Sequence, residues 1–385
     1  AKLVGELAER VGQPAVLGEL VAGAVLGPSL LGWVDPHAEP IHLLAELGVV
    51  ILLFEIGLET SLAKLARVGA ASLAVALVGV VLPMGAGLLV GRVMGYPPLL
   101  ALFLGAALTA TSVGITARVL SDLGRLQEPE SQVVLGAAVI DDVLGLIVLA
   151  VVVGLVEGGD LTWASVAVPT VKAFGFLGAA LVVGKVAAAP LLRFLDRLRV
   201  GGALFVFSLV FAFLLAVAAK AVGSALIVGA FAAGLLLSET GRAGAIEKEI
   251  KSLAHVFVPI FFVSVGAMMD LRLLNPLVRE NWPVLAFAVG LTAIAIVTKM
   301  AAGYAPVWLR MRKLVIGVGM VPRGEVGLIF AQIGLSGGVL AVAEYNAVTL
   351  MVMGTTFVAP VALRALWPKR PAAPATPLEG VADLV

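Results

Sequence analysis

Two adjacent aspartates, Asp141 and Asp142, lie inside an apolar run of membrane-spanning length, GAAVIDDVLGLIVLAVVV, which begins at Gly136. A carboxylate at the bilayer centre costs roughly 2.5–3.5 kcal/mol on insertion scales, and ionisable groups at that depth usually serve function. Neighbouring helical residues point about 100° apart. The two aspartates therefore cannot face one partner, and we expect separate roles. The alternative is a structural carboxylate bonded to backbone.

A lysine supplies the natural counter-charge. Lys299 lies well inside another apolar stretch, AIAIVTKMAAG, at a depth similar to that of the aspartates. Burial strips water from an ammonium group, and a carboxylate partner compensates for that loss. We expect an ion pair that releases a proton when the carboxylate is displaced. The alternative is a lysine whose amine snorkels to the headgroups.

Two apolar segments carry the signs of an interrupted helix. The first, ALTATSVGITA, clusters three hydroxyl side chains: Thr109, Thr111 and Ser112. The second, GMVPRGEVGLI, combines a proline with two charges: Arg323 and Glu325. Broken backbone at membrane depth is tolerated only where it is buried or lines a cavity. We expect Arg323 to neutralise the C-terminal end of a half-helix and Glu325 an N-terminal end. The alternatives are a simple proline kink in the second segment and polar packing without unwinding in the first.

Other polar residues in apolar segments give weaker signals. Glu19 and Glu55 are candidates for lining an access funnel, although Glu55 and Arg118 are also placed to reach the membrane interface. The three histidines lie near span ends, where exposed positions are favoured over pH sensing: His37, His42 and His255.

The composition excludes several classes of protein. The chain is 61% hydrophobic and 13% charged, with mean hydropathy +1.11, which is typical of a polytopic membrane protein. A net charge of +1 offers no basic surface for nucleic acid, and the absence of cysteine excludes thiol chemistry. Adjacent aspartates do not form an aspartyl protease dyad, and the chain has no HExxH motif. We predict a protein that is not an enzyme and has no cofactor.

The apolar windows predict an all-α fold of about thirteen transmembrane helices. The predicted spans are 1–12, 14–31, 42–58, 68–92, 98–121, 131–156, 165–190, 203–221, 223–239, 251–269, 283–306, 313–336 and 343–367. The remainder, 368–385, is rich in proline and alanine and predicts a disordered tail.

Lysine and arginine are divided unequally between the two sets of loops. The larger set is Arg10, Lys64, Arg67, Arg125, Arg193, Arg197, Arg199, Arg242, Lys248, Lys251, Arg310, Arg312, Lys313, Lys369 and Arg370. The smaller set is Arg92, Lys220, Arg272 and Arg279. The positive-inside rule makes the larger set cytoplasmic. The N-terminus is then outside and the C-terminus inside, which requires an odd number of spans.

The two halves of the chain resemble each other. PAVLGELVAGAVLG, from Pro14, matches ALIVGAFAAGLLLS, from Ala225, with both glycine pairs offset by 211 positions. LLFEIG and FFVSVG are offset by 209, and SVGITA and EVGLIF by 213. One linking span between two six-span units inverts the second unit, as in many secondary transporters. The two interrupted segments then occupy corresponding positions. The first span is shorter than its counterpart, so we expect further helical residues before Ala1.

At this point several motifs match a known family. They are GE…GP in 18–28, LF…GLE in 53–59, ATSVGITAR in 110–118, IDDVLG in 140–145 and PRGEVGL in 322–328. Together they resemble the monovalent cation:proton antiporters, most closely the NapA type of bacterial sodium/proton antiporter, with NhaA a more distant relative. The resemblance implies a homodimer in the bacterial inner membrane and a core domain that moves against a dimerisation domain. It also implies two discontinuous helices that cross.

The resemblance also implies roles for individual residues. Asp142 binds the cation and protons, and Asp141 pairs with Lys299. Beyond the resemblance, we expect Asp141, Thr109 or Thr111, and water to complete the shell of the cation. The crossing helices support the site through Thr109, Thr111, Ser112, Arg323 and Glu325. Potassium-efflux relatives of the Kef type carry glutamine at the position of Asp141, and electroneutral exchangers carry asparagine, so Asp141 favours the electrogenic sodium type. Glu55 departs from the family, in which an apolar residue is usual there.

The expected domain organisation follows the repeats. Residues 1–58 form dimerisation helices with part of the core, 68–156 the core of repeat 1, and 165–190 the linking helix. Residues 203–239 form dimerisation helices of repeat 2. The core of repeat 2 covers 251–336, including the broken helix 313–336, and ends with 343–367 before the tail.

The sequence therefore predicts an electrogenic Na+/H+ antiporter. It would export Na+ or Li+ in exchange for protons by alternating access, with Na+, H+ and the lipid bilayer as its partners. Two alternatives stay open, a K+/H+ antiporter on the same scaffold and a sodium-coupled symporter of organic anions.

Overall fold

A computed structural model describes residues 1–156, 202–269, 271–274 and 278–367, with isolated positions between 167 and 182. Within these ranges the chain is helical and contains no strand. The helices are α1 (Lys2–Arg10), α2 (Ala15–Leu26), α3 (Glu39–Glu59), α4 (Leu62–Val93), α5 (Pro98–Thr109), α6 (Val113–Asp122), α7 (Pro129–Val156), α8 (Ala203–Ala221), α9 (Leu226–Ser238), α10 (Ala243–Ala267), α11 (Trp282–Ala302), α12 (Lys313–Gly319), α13 (Glu325–Ser336) and α14 (Val342–Leu366). Most of the predicted linking helix 165–190 and all of the tail 368–385 lie outside the described residues.

Eight helical segments of the described chain are long and apolar enough to cross a membrane. They are Glu39–Glu59, Leu62–Val93, Pro98–Asp122, Pro129–Leu149, Ala203–Ala221, Ala243–Ala267, Trp282–Ala302 and Val342–Leu366. Three shorter apolar helices accompany them: Ala15–Leu26, Leu226–Ser238 and Val326–Ser336. A helix satisfies its own backbone hydrogen bonds in lipid, so this is the architecture of a multi-pass membrane protein.

Several helices differ in extent from the predicted spans. Helix α4 begins at Leu62 rather than 68, and α10 begins at Ala243 rather than 251. Apolar windows detect only the part of a helix inside the hydrocarbon, and these helices continue through charged turns beyond it. Helix α2 ends at Leu26, before the predicted 31, because Gly27 precedes a proline that disfavours helical backbone.

The helices pack in two groups. The first bundle consists of α1, α2, α3, α8, α9 and α10. The second bundle consists of α4, α5, α7, α11, α12, α13 and α14. Helix α6 lies between them, in contact with α2 and α3 on one side and with α7 and α14 on the other. The predicted core range 251–336 begins with α10, whose main contacts are instead with α2 and α3.

Glycines allow the closest helix contacts in the first bundle. A Cβ at Gly23 of α2 would lie 2.9 Å from the Cα of Gly266 in α10. A Cβ at Gly234 of α9 would lie 2.8 Å from the Cα of Gly57 in α3. Small residues let helix backbones approach in this way, which is a common packing device in membranes.

Hydrogen bonds tie several turns together at one end of the molecule. The Leu62 amide donates to the Glu239 carboxylate at 3.1 Å, which joins the α3–α4 turn to the α9–α10 turn. The Arg312 amide donates to the Glu130 carboxylate at 3.1 Å, which joins the loop before α12 to the start of α7. We call this the basic end, because these turns belong to the lysine- and arginine-rich set.

Candidate functional site

Two helices are interrupted where they meet in the middle of the protein. Helix α5 ends at Thr109 and α6 begins at Val113, while α12 ends at Gly319 and α13 begins at Glu325. The backbone N–H of Ser112 donates to the carbonyl of Pro322 at 2.8 Å. The crossing therefore pairs the two unwound stretches with each other, which satisfies backbone groups that lipid cannot.

Hydroxyl groups add to this crossing. Thr116 Oγ1 donates to the Gly319 carbonyl at 2.7 Å, and Thr111 Oγ1 donates to the Met320 carbonyl at 3.4 Å. Both accepting carbonyls lie where α12 ends, so side chains of the first interruption bind backbone of the second. The segment ALTATSVGITA therefore unwinds, and its polar residues do more than pack.

Arg323 sits inside the crossing with its side chain fully buried. Its guanidinium donates to the carbonyls of Leu108 at 2.7 Å, Val321 at 2.9 Å and Met320 at 3.2 Å. These carbonyls lie at the C-terminal ends of α5 and α12, where helix dipoles concentrate negative charge. Arg323 thus supplies positive charge to two half-helix ends at once. The side chain of Glu325 lies outside the described residues.

Lys299 and Asp141 form a buried ion pair beside the crossing. Lys299 Nζ donates to Asp141 Oδ2 at 3.1 Å, and the two side chains are 0% and 1% exposed. Gly79 of α4 leaves room for the amine, because a Cβ there would lie 3.3 Å from Nζ. Either charge left alone at this depth would be strongly unfavourable, so each side chain requires the other.

Asp142 lines a small pocket where the unwound backbone of the second bundle meets the first bundle. The pocket has a volume of about 20 Å³, enough for about one water molecule or one bare cation. Thr111 and Ser112 line it from the first interruption, and Val49 and Phe261 line it from the first bundle. Asp142 is 8% exposed, so its carboxylate is nearly dry but not completely buried.

A larger cavity leads from this pocket away from the basic end. It measures about 230 Å³ and its walls include His42, Glu46 and Met268, which lie near helix ends on that side. Four residues line both the cavity and the Asp142 pocket: Val49, Ile227, Phe261 and Val265. In this conformation, the cavity beside the site therefore lies toward the end opposite the basic end.

The comparison with protein families covers nearly the whole chain. The family model described as sodium/hydrogen exchanger, transmembrane, matches residues 1–369. The chain belongs to the sodium/hydrogen exchanger family. Among its relatives, the high-affinity Na+/H+ antiporter NhaS3 of Synechocystis is 41% identical over 98% of this chain and 90% of the relative. The Na+/H+-K+ antiporter GerN of Bacillus cereus is 38% identical over 94% of this chain and 92% of the relative.

A solved structure shares the fold. The sodium proton antiporter MjNhaP1 of Methanocaldococcus jannaschii aligns with a TM-score of 0.64 at 20% identity. The alignment covers 95% of this chain and 93% of that one. The family match over residues 1–369 and the relatives at 41% and 38% identity confirm the resemblance to the cation:proton antiporters.

Besides the carboxylate of Asp142, the polar side chains that line the pocket of this exchanger carry oxygen. They are the hydroxyls of Thr111 and Ser112. Within the described ranges, no group of three His, Cys, Asp or Glu side chains lies together as a tight metal centre requires. Hard cations prefer oxygen donors, and one carboxylate with neutral oxygens suits a weakly held cation that must leave again.

The remaining predicted site residues lie at different distances from this pocket. Thr109 is fully buried and donates to the Ala106 carbonyl of its own helix at 2.7 Å, so its hydroxyl serves the end of α5. Glu19, Glu55 and Arg118 lie together on the basic-end side. The side chains of the three histidines are exposed, as expected for positions near span ends: His37, His42 and His255.

Sequence reasoning missed the wall that the first bundle contributes. Val49, Ile227 and Phe261 are apolar residues in apolar helices and carry no local signal of a site. It also missed Thr356 of α14, whose hydroxyl donates to the Arg323 carbonyl at 2.6 Å and fixes the unwound backbone.

Proposed function

We propose that this exchanger moves Na+ and H+ in opposite directions through competition for Asp142. The observation that carries the proposal is the nearly dry Asp142 carboxylate in a one-ion pocket at the crossing of two interrupted helices. A cation binds only to the deprotonated carboxylate, so proton and cation exclude each other. The naming of the relatives NhaS3 and GerN as antiporters supports the same chemistry.

The Asp141–Lys299 pair supplies the second ionisable unit of the proposed mechanism. A cation at Asp142 adds positive charge beside Lys299 and draws Asp141 toward the ion, which weakens the pair. Lys299 then releases its proton. Exchange of two protons for one cation moves one net charge, worth about 2.3 kcal/mol per 100 mV. Membrane potential would therefore drive export of the cation, and turnover would rise with pH as Asp142 deprotonates.

Alternating access follows from the two bundles in this proposal. The first bundle is the dimerisation scaffold and the second bundle, with α6, is the moving core. We assign α10 to the scaffold because it packs on α2 and α3. The present conformation would be outward-facing, because the cavity beside Asp142 lies at the end opposite the basic end. In the proposed cell-membrane orientation, the basic end is cytoplasmic.

The inverted repeat and the count of about thirteen spans belong to the same proposal. Equivalent glycines make equivalent contacts: a Cβ at Gly18 of α2 would lie 2.7 Å from the Gly5 Cα in α1. A Cβ at Gly229 of α9 would lie 2.7 Å from the Ala216 Cα in α8. Such pairing of the first two helices in each half is what a repeated unit produces.

Potassium is the competing substrate, since the relative GerN is named as an antiporter of both Na+ and K+. Competition between external Na+ and K+ for proton release distinguishes the two ions.

Reconstituted proteoliposomes with a pH-reporting dye inside test the proposal. We expect external Na+ to evoke proton release, and Asp142→Asn to abolish it, because the variant has no titrating carboxylate. Asp35→Asn, in an exposed loop, is the matched control and should keep full activity. Valinomycin clamping then measures charge movement. Sodium-evoked release that persists in Asp142→Asn would overturn the site, and release by K+ alone would overturn the selectivity.

A further inference from the structure

Charged side chains on the basic-end side of Asp142 have no part in the mechanism above: Glu19, Glu55, Arg118 and Asp122. Helix α6 begins at the pocket and runs to the basic end, parallel to the last part of α3. A Cβ at Gly114 of α6 would lie 3.7 Å from Leu52 Cδ2 of α3. Arg118 and Glu55 each follow that contact by about one turn, or about 5–6 Å. They therefore face each other just beyond the site.

The guanidinium of Arg118 pairs with a carboxylate of its own helix and lies near carboxylates of two others. Its Nε lies 3.1 Å from Asp122 Oδ1 on α6. The positive charge of Arg118 also acts on Glu19 of α2 and on Glu55 of α3. It is only 16% exposed, so its charge is largely buried, about one helical turn beyond the pocket residue Gly114.

Glu19 needs a second cation. Its side chain is 1% exposed, and one carboxylate oxygen lies 3.7 Å from Lys2 Nζ. The other oxygen is buried without a hydrogen-bond partner among the described residues. A buried carboxylate with an open oxygen is unfavourable unless positive charge approaches it. Here that charge belongs to α6, whereas Glu19 belongs to the first bundle.

We propose that Arg118 is a tethered cation that closes the basic-end route to Asp142 in this conformation. When the second bundle shifts, α6 carries the guanidinium away from α2 and α3. Glu19 and Glu55 then receive the transported monovalent cation at the entrance to the site. The same carboxylates thus face the arginine charge when the route is closed and the substrate cation when it is open. The identity of that cation rests on the proposed function, whereas the closure does not.

The surrounding charges are already engaged with one another. On α10 and α3, Lys251 lies 2.9 Å from Glu59 and also contacts Glu247. His255 is exposed on α10 and faces the same region as Lys2, Arg118 and Lys251. Arg118 is therefore the charge whose removal alters Glu19 and Glu55 together.

Closure is tested by cysteine labelling, which requires no transport. The chain contains no cysteine, so Leu328→Cys in the cavity wall is the only target for a membrane-impermeant maleimide. Adding Arg118→Gln should slow labelling of the cysteine at position 328 at least about threefold. The variant loses the attraction between Arg118 and the carboxylates of the first bundle, which favours the conformation with the open cavity. Arg118→Lys should retain the natural rate. The double variant Glu19→Gln with Glu55→Gln removes the carboxylates that attract Arg118, so it should also slow labelling. Unchanged rates in both backgrounds would overturn the closure.

Everted membrane vesicles test the entrance, because they expose the basic end to the medium. Glu19→Gln and Glu55→Gln should each raise the half-saturating Na+ concentration about three- to fivefold. Glu39→Gln, at the other end of α3, should leave it unchanged. A double variant that matches the natural chain would overturn the entrance site. If no cation moves protons in the natural chain, the proposed function fails, while labelling still decides the closure.

Discussion

Asp141 and Asp142 are chemically identical neighbours with different environments. The helical rotation between them turns Asp141 toward Lys299 and Asp142 toward the pocket. One carboxylate is thereby held in a dry ion pair, and the other is accessible to an ion. The role of each aspartate therefore depends on the direction of its side chain, since the residue type is the same.

The ion pair predicts a cost for removing one partner. Lys299→Gln leaves the Asp141 carboxylate buried without its counter-charge, which should destabilise the protein by about 3–5 kcal/mol. A thermal-unfolding scan in detergent measures this as a lowered midpoint. The double variant Asp141→Asn with Lys299→Gln is neutral at both positions and should recover most of the loss. A single variant as stable as the natural chain would show that the pair does not form.

At the scale of elements, the interrupted helices depend on Arg323. Unwinding two helices in the middle of a membrane protein leaves carbonyls at each C-terminal end without helical partners. Arg323 donates to those of α5 and α12 together. A single side chain therefore caps both half-helices at the crossing that forms the pocket.

Replacement of Arg323 should open this crossing. Arg323→Met leaves buried carbonyls unsatisfied, and we expect a loss of about 2–5 kcal/mol in stability, measured by thermal unfolding. Arg323→Lys keeps the charge but lacks the several N–H donors of the guanidinium. Its unfolding midpoint should therefore fall between those of Arg323→Met and the natural chain. Equal midpoints for the methionine and natural chains would contradict this role.

Helix contact through glycine is a second element-scale feature. In Gly234→Ala the new Cβ would lie 2.2 Å from the Phe54 carbonyl, so α3 and α9 must separate, at a cost of about 1–3 kcal/mol. Gly290→Ala is the matched control, because that glycine of α11 has open space around it. It should be neutral or stabilising by up to about 1 kcal/mol. The same thermal assay ranks the two variants, and a reversed order would contradict the contact.

At the scale of the molecule, the loops divide into two ends, and the proposed orientation rests on their unequal positive charge. We expect Trp33→Cys, in the exposed α2–α3 loop, to be labelled from outside intact cells. Gly241→Cys, in the α9–α10 turn at the basic end, should be labelled only after permeabilisation. The chain has no other cysteine, so the background is low. Labelling of Gly241→Cys in intact cells would reverse the proposed orientation.

The sequence by itself determined the helical membrane class, the family, and the residues that would be costly in lipid. Hydropathy, proline and intramembrane charge are local properties, so Asp141, Asp142, Lys299 and the segment around Arg323 were identifiable without coordinates. The ends of α2, α4 and α10 were not identifiable in this way. A window of apolar residues detects neither helix caps nor charged turns that continue a helix beyond the hydrocarbon.

The resemblance implied that Asp141 pairs with Lys299, whereas only the tertiary structure decided the geometry of that pair and what else meets at the site. The 3.1 Å contact between Lys299 and Asp141 joins positions 158 residues apart, and the first bundle brings apolar walls to Asp142. It also showed that Arg118 faces Glu19 and Glu55. The sequence shows which charges would be costly to bury. Which group compensates each charge depends on long-range packing, because the partners come together only in the folded bundle.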